Sequence, residues 1–156
     1  MNDINVVCDY IITKCSEGKI YIDLLKLQKL LYYCQSWSLA YDRGPLFAEK
    51  FQAWVHGPVS RKIYDRFIAK GMYSQITAQD VNKEMCEISP DDALLISSVL
   101  SSYGKYTGDQ LEYLTHLEKP WLDARDGLPP TMRSEREISE ETMKKFYAER
   151  IQKNAV

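Results

Sequence analysis

The stretch that most restricts the fold of this chain is residues 23–44, DLLKLQKLLYYCQSWSLAYDRG. Asp23 is suited to cap a helix N-terminus and Gly44 to end a helix. Between them Leu27, Leu30, Leu31, Cys34, Trp37, Ser38 and Tyr41 recur at helical spacing on one face, with Leu24 and Tyr33 at its margins. A stripe this wide exceeds what a helix packed on a single neighbour can cover. It predicts the central helix of a bundle, around which the other segments must fit.

Residues 4–15 place Ile4, Val7, Cys8, Ile11, Ile12 and Cys15 on one helical face that stops at Gly18. In KFQAWVH, residues 50–56, Phe51, Ala53 and Val55 alternate with Gln52, Trp54 and His56, the period of a strand. Gly57 breaks that strand, and Pro58 suits the first position of a helix over 58–70. This helix is expected to bury Val59, Ile63, Tyr64 and Phe67 and to leave Arg61, Lys62, Arg66 and Lys70 outside. A short strand at 85–88 is expected to pair with 51–55. Ser89, Pro90, Asp91 and Asp92 together start a helix that ends at Gly104. Thr107 caps a short helix carrying Leu111, Leu114 and Leu117 inward, and Pro120 restarts the chain into a turn bearing Trp121. Residues 126–137 read as a Pro-containing linker. Ser139 opens a last helix with Ile138 and Met143 as a hydrophobic staple, docked by Phe146 and Tyr147. The expected fold is mainly α (α+β): a compact bundle of about six or seven helices with a small β element at 51–55 and 85–88, in one domain over residues 1–156.

With 156 residues the chain can bury a core without disulfides or metal. Twenty basic against 22 acidic side chains give a net charge of −2, which argues against a protein whose task is to coat nucleic acid. No run approaches the roughly 18–20 apolar residues that span a bilayer, and the N-terminus lacks a basic n-region, so a cytoplasmic location is expected. The four cysteines form no CxxC pair and read as free thiols, Cys8 and Cys15 as small core residues.

His56 and His116 are the two histidines, and neither has a second ligand at metal-binding spacing. His116 has Glu112 four residues before it. Ser60 lies four residues after His56, but no nucleophile elbow and no phosphate-cradling glycine loop occur. A hydrolase using His56 or His116 stands as one alternative. A small DNA-binding regulator stands as another, since Lys62, Arg66 and Lys70 share a helix face, although a solvated face is the plainer reading. Eleven tyrosines and three tryptophans suit protein interfaces. Tyr32, Tyr73 and Tyr106, lying off the apolar stripes or in loops, are expected to be exposed.

Three blocks in order, LLKLQKLLYYCQSWSLAYDRGPLF, FQAWVHGPVSRKIYDRF and SYGKYTGDQLEYLTHLEKPW, resemble the Panacea antitoxin domain family, also called SocA-like or GepA-like phage-associated proteins. The resemblance covers roughly residues 5–150. Gln28, Lys29, Trp54, His56, Gly57, Pro58, Tyr64, Thr115, His116, Pro120 and Trp121 fall on the shared pattern. It implies a non-enzymatic antitoxin of a toxin–antitoxin module. Such a protein binds a cognate protein toxin encoded by an adjacent gene, in some cases delivering it to a cellular protease. Candidate partner-binding or motif residues are Gln28, Lys29, Tyr32, Trp54, His56, Gly57, Pro58, Arg61, Lys62, Tyr64, Arg66, His116 and Trp121. No catalytic or metal-ligating residue and no cofactor is expected. His56 is expected to buttress the junction after the strand as a buried imidazole, bonded to a backbone carbonyl or to a carboxylate across the bundle.

Overall fold

A computed structural model describes residues 1–82 and 87–154. Its described residues form seven α-helices and one two-stranded antiparallel sheet: α1 (Ile4–Glu17), α2 (Leu24–Ala40), β1 (Gln52–Trp54), β2 (Gly57–Val59), α3 (Arg61–Phe67), α4 (Pro90–Tyr103), α5 (Gly108–His116), α6 (Lys119–Arg125) and α7 (Glu140–Asn154). The fold is mainly α, as the sequence predicts. No described helix is long and apolar enough to cross a membrane.

α2 is the axis. Every residue from Leu24 to Ser36 is buried, and α1, α3, α4, α5, α7 and β2 all pack against it. A helix buried all round must satisfy its polar side chains inside the protein. Four of them do so by reaching the backbone of the surrounding layer. Lys26 Nζ donates to Gly104 O at 2.7 Å, between α4 and α5. Gln28 forms a paired bond with the Ser60 backbone, donating to its carbonyl at 3.0 Å and accepting from its amide at 2.9 Å. Lys29 Nζ donates to Pro58 O at 3.2 Å. Gln35 donates to Phe47 O and accepts from Leu46 N, and it also donates to Glu140 at the start of α7. The central helix thereby fixes the hairpin, two helix junctions and the 46–47 segment.

Most of the caps read from the sequence hold. Asp23 accepts from Lys26 N, Ser89 from Asp92 N, and Thr107 and Gln110 form a reciprocal capping box. Ser139 Oγ accepts from Thr142 N, with Ile138 and Met143 buried beside it.

Pro58 is a correction. It lies in β2, opposite Ala53, and the helix begins only at Arg61, capped by Ser60. The strand tolerates proline because Ala53 turns both backbone groups away from it: its N–H goes to Arg136 O and its carbonyl accepts from Arg125. Pro58 therefore has no ladder bond to lose. The partner of β1 is β2 rather than 85–88; residues 85 and 86 lie outside the described residues, and 87–88 are not in a strand. The stretch read as a linker is docked. Ala53 N donates to Arg136 O at 2.8 Å and Ile138 N to Phe51 O at 2.7 Å, so 136–138 lines the second edge of β1.

Three smaller expectations also fail. α2 ends at Ala40, because Asp42 already takes the left-handed turn (φ 60°) ahead of Gly44. Leu117 follows the last residue of α5 and is 60% exposed. Tyr32 is 1% exposed, since α2 has no outward side at that point; its ring packs edge-on against Tyr33, Phe51 and Tyr147.

Candidate functional site

The residues of the shared pattern gather where the β1–β2 hairpin meets α2, α5 and α6. Val55 and His56 form the hairpin tip, and Gly57 takes φ +96°, a conformation that favours glycine. The space above Gly57 is already occupied. A Cβ there would lie 2.6 Å from Lys29 Cε and 2.9 Å from Thr115 Oγ1. Trp121 closes the side of the hairpin, its indole N–H donating to Trp54 O at 2.8 Å. The ring of Trp121 stacks on His116 at 4.1 Å, and the Arg125 guanidinium lies 4.8 Å from its centre.

His56 does bond a carboxylate across the fold: Nδ1 lies 2.6 Å from Glu112 Oε1 on α5. The ring is not buried, however; its side chain is 52% exposed, because the hairpin tip projects past α5. His116 is the more enclosed histidine. Burial pushes its pKa down, against the charge of Glu112. Glu112, read from the sequence as a neighbour of His116, is bonded to His56 instead.

Lys29 is fully buried, and burial lowers its pKa to about 7, with Glu112 and Asp23 opposing the shift. The unfolded chain keeps this proton up to the ordinary lysine range. Between pH 7 and about 10 it therefore binds more protons than the folded state, and this group's contribution to stability rises with pH. Replacing Lys29 with methionine removes that slope. The stability difference between the natural chain and Lys29→Met, from urea unfolding at pH 7 and pH 9, is expected to rise by roughly 2 kcal/mol. A difference that stays flat would contradict a neutralised Lys29.

Other candidates are committed elsewhere. The Ser60 hydroxyl caps α3 and is buried. Cys8, Cys15 and Cys34 are buried free thiols, pushed up by burial, Cys15 to about 11, so reactive thiolate is suppressed. Cys86 lies outside the described residues. No group of three or more His, Cys, Asp or Glu able to hold a metal ion occurs among the described residues. The basic side chains after the hairpin are neutralised one by one, Arg61 by Glu135, Lys62 by Glu49, Arg66 by Asp9 and Lys70 by Asp80. Asp9 is itself buried, so Arg66 is structural rather than free, contrary to the solvated face expected. A phosphate backbone would have to break these pairs. Gln28, Lys29 and Tyr32 are enclosed within the fold, and their side chains do not reach a partner's surface.

What stays partly open at the junction is Trp54, half-buried like Tyr64 beside it. Arg61 lies 4.7 Å from the Trp54 ring centre and Tyr64 packs edge-on at 4.8 Å. Two other surface features stand out. A cleft of about 660 Å³ between α2, α4 and α7 is lined by Trp37, Leu95, Val99, Tyr103, Phe146 and Arg150, among others. Beneath it Glu118 is buried and accepts from the Tyr33 and Tyr147 hydroxyls at 2.7 and 2.9 Å. On the far side of α5, Tyr106, Tyr113 and Leu117 face outward beside Tyr21 and Tyr73. Tyr73 and Tyr106 were expected to be exposed. Tyr113 and Leu117 were missed, although the spacing 106, 113, 117 is a second helical stripe readable in the sequence.

The sequence that builds this junction matches a known family. The family model described as Antitoxin SocA-like, Panacea domain, matches residues 27–122, from α2 into α6. The chain is 30% identical over 129 residues to Antitoxin SocA of Caulobacter vibrioides (strain NA1000 / CB15N), an alignment covering 76% of this chain and 68% of that protein. No solved structure matches it. The chain belongs to the SocA-like Panacea-domain antitoxin family.

Proposed function

We propose that this chain is an antitoxin that neutralises a cognate protein toxin, the product of an adjacent gene, by binding it directly and without catalysis. Membership of the antitoxin family carries this reading. The chemistry of the junction supports it. Lys29, Thr115, His116 and Trp121 pack the hairpin, and His56 is tied to Glu112, so the pattern residues serve shape rather than proton transfer.

Co-expression of this chain with the adjacent open reading frame is the test, read as recovery of growth. His56→Gln is expected to rescue as well as the natural chain. A half-exposed pair such as His56–Glu112 contributes under about 1 kcal/mol, so melting should shift little. A His56→Gln chain that melts normally but no longer rescues would point to a general base and overturn the binding-only reading.

A further inference from the structure

α5 has two apolar faces, and the fold uses one of them. Gly108, Leu111 and Thr115 point inward and are buried. On the outer side stand Tyr113 and Leu117, 67% and 60% exposed, with Tyr106 just before the helix. A helix whose inner side already packs on α2, the hairpin and α6 should be polar on its outer side. Two adjoining depressions of about 390 and 450 Å³ share Tyr106 and Asp109, and the first also contains Tyr21 and Tyr73. Of the ten large hydrophobic side chains exposed among the described residues, five lie on this face. Clustering of this kind marks an interaction site, where scattered singles would not.

The face is also held rigid. Gly108 sits so close to α2 that a Cβ would meet Lys26 N at 3.1 Å and Leu25 at 3.2 Å. Lys26 pins the preceding turn through Gly104 O, and the Tyr21 hydroxyl donates to Tyr73 O at 2.8 Å. Side chains on so fixed a support lose little freedom on binding. The α2–α4–α7 cleft is less available, because Trp37 already donates to Tyr103 and Arg150 faces buried Glu118.

We propose that the outer face of α5, with Tyr21 and Tyr73, is the docking surface for the toxin, and that the toxin meets it with apolar side chains flanking a lysine or arginine. This rests on the antitoxin reading above. The basic residue is called for by Asp109, which lies where the two depressions meet and is paired by no cation among the described residues; nearby Lys105 sits against the Tyr106 ring. The same carboxylate disfavours a second copy of this chain, since a twofold contact centred on this face would oppose Asp109 to itself.

The test is titration of the purified adjacent-gene product with the full chain and three variants, alongside sedimentation of the free chain. Tyr113→Ala/Leu117→Ala is expected to weaken binding roughly 100-fold or more with melting unchanged, because these side chains are exposed, and Asp109→Lys about tenfold with a small drop in melting, because Asp109 stands in the first turn of α5. Leu94→Ala, remote on α4, should bind normally. Hydrogen exchange in the complex should slow across 105–117. Natural affinity in both α5 variants overturns this surface while leaving the antitoxin reading intact. A free dimer that dissociates on Tyr113→Ala/Leu117→Ala assigns the face to self-association and overturns the proposal. Absence of binding by the unmodified chain overturns the antitoxin reading, and this surface with it.

Discussion

Replacing Arg125 with alanine is expected to destabilise the protein by about 3–5 kcal/mol, lowering the melting temperature by on the order of 10 °C. Arg125 is 2% exposed and its guanidinium serves three backbone carbonyls. Nη1 donates to Ala53 O at 3.0 Å, and Nη2 donates to Pro129 O at 2.8 Å and to Met132 O. Alanine would leave these acceptors unpaired in a void beside Trp121. The 126–139 segment should then leave the edge of β1, which hydrogen exchange at Ala53 and Ile138 would report. Lysine should rescue little, since one ammonium cannot span acceptors placed for a planar fork. A loss under 1 kcal/mol would mean that this segment is held by other contacts.

Gly57→Ala should cost about 2–4 kcal/mol, from two separable causes. One is the positive φ, which no side chain at Lys29 or Thr115 can relieve. The other is collision with Lys29 Cε, which is enclosed and has no room to withdraw. Denaturant unfolding of Gly57→Ala, Lys29→Ala and the double variant separates them. In the Lys29→Ala background the glycine substitution should cost less, about 1–2 kcal/mol, which is the conformational part together with the remaining approach to Thr115 Oγ1. Strict additivity of the two changes would show that the packing of Lys29 under Gly57 is not the constraint.

Helix starts were legible because they are local: Asp23, Ser89, Thr107 and Ser139 announce themselves within three residues. What was not legible depends on distant partners. Lys26, Gln28, Lys29 and Gln35 lie off the apolar stripe read from residues 23–44, yet they are buried hubs. Their acceptors lie as far as 105 positions away, as Glu140 does from Gln35. Pro58 follows a local preference for helix starts that the hairpin overrides, because Ala53 gives its bonds to Arg136 and Arg125. The linker-like composition of 126–137 conceals a segment tied down by two arginines, buried Arg125 to its carbonyls and exposed Arg136 to Arg125 O. The charges after the hairpin looked free because Asp9, Glu49, Asp80 and Glu135, which neutralise them, are scattered along the chain. At the candidate site, the bond of His56 to a carboxylate was foreseen, but its partner and the exposure of its ring were not.

The most direct test of neutralisation by binding is its stoichiometry. A fixed amount of the purified adjacent-gene toxin is titrated with this chain, and residual toxin activity is read after long incubation. A binding antitoxin should remove activity in proportion to the amount added, reaching zero at a fixed molar ratio that His56→Gln leaves unchanged. Complete loss of toxin activity at a small fraction of that ratio, growing with time, would mean turnover and would contradict the account.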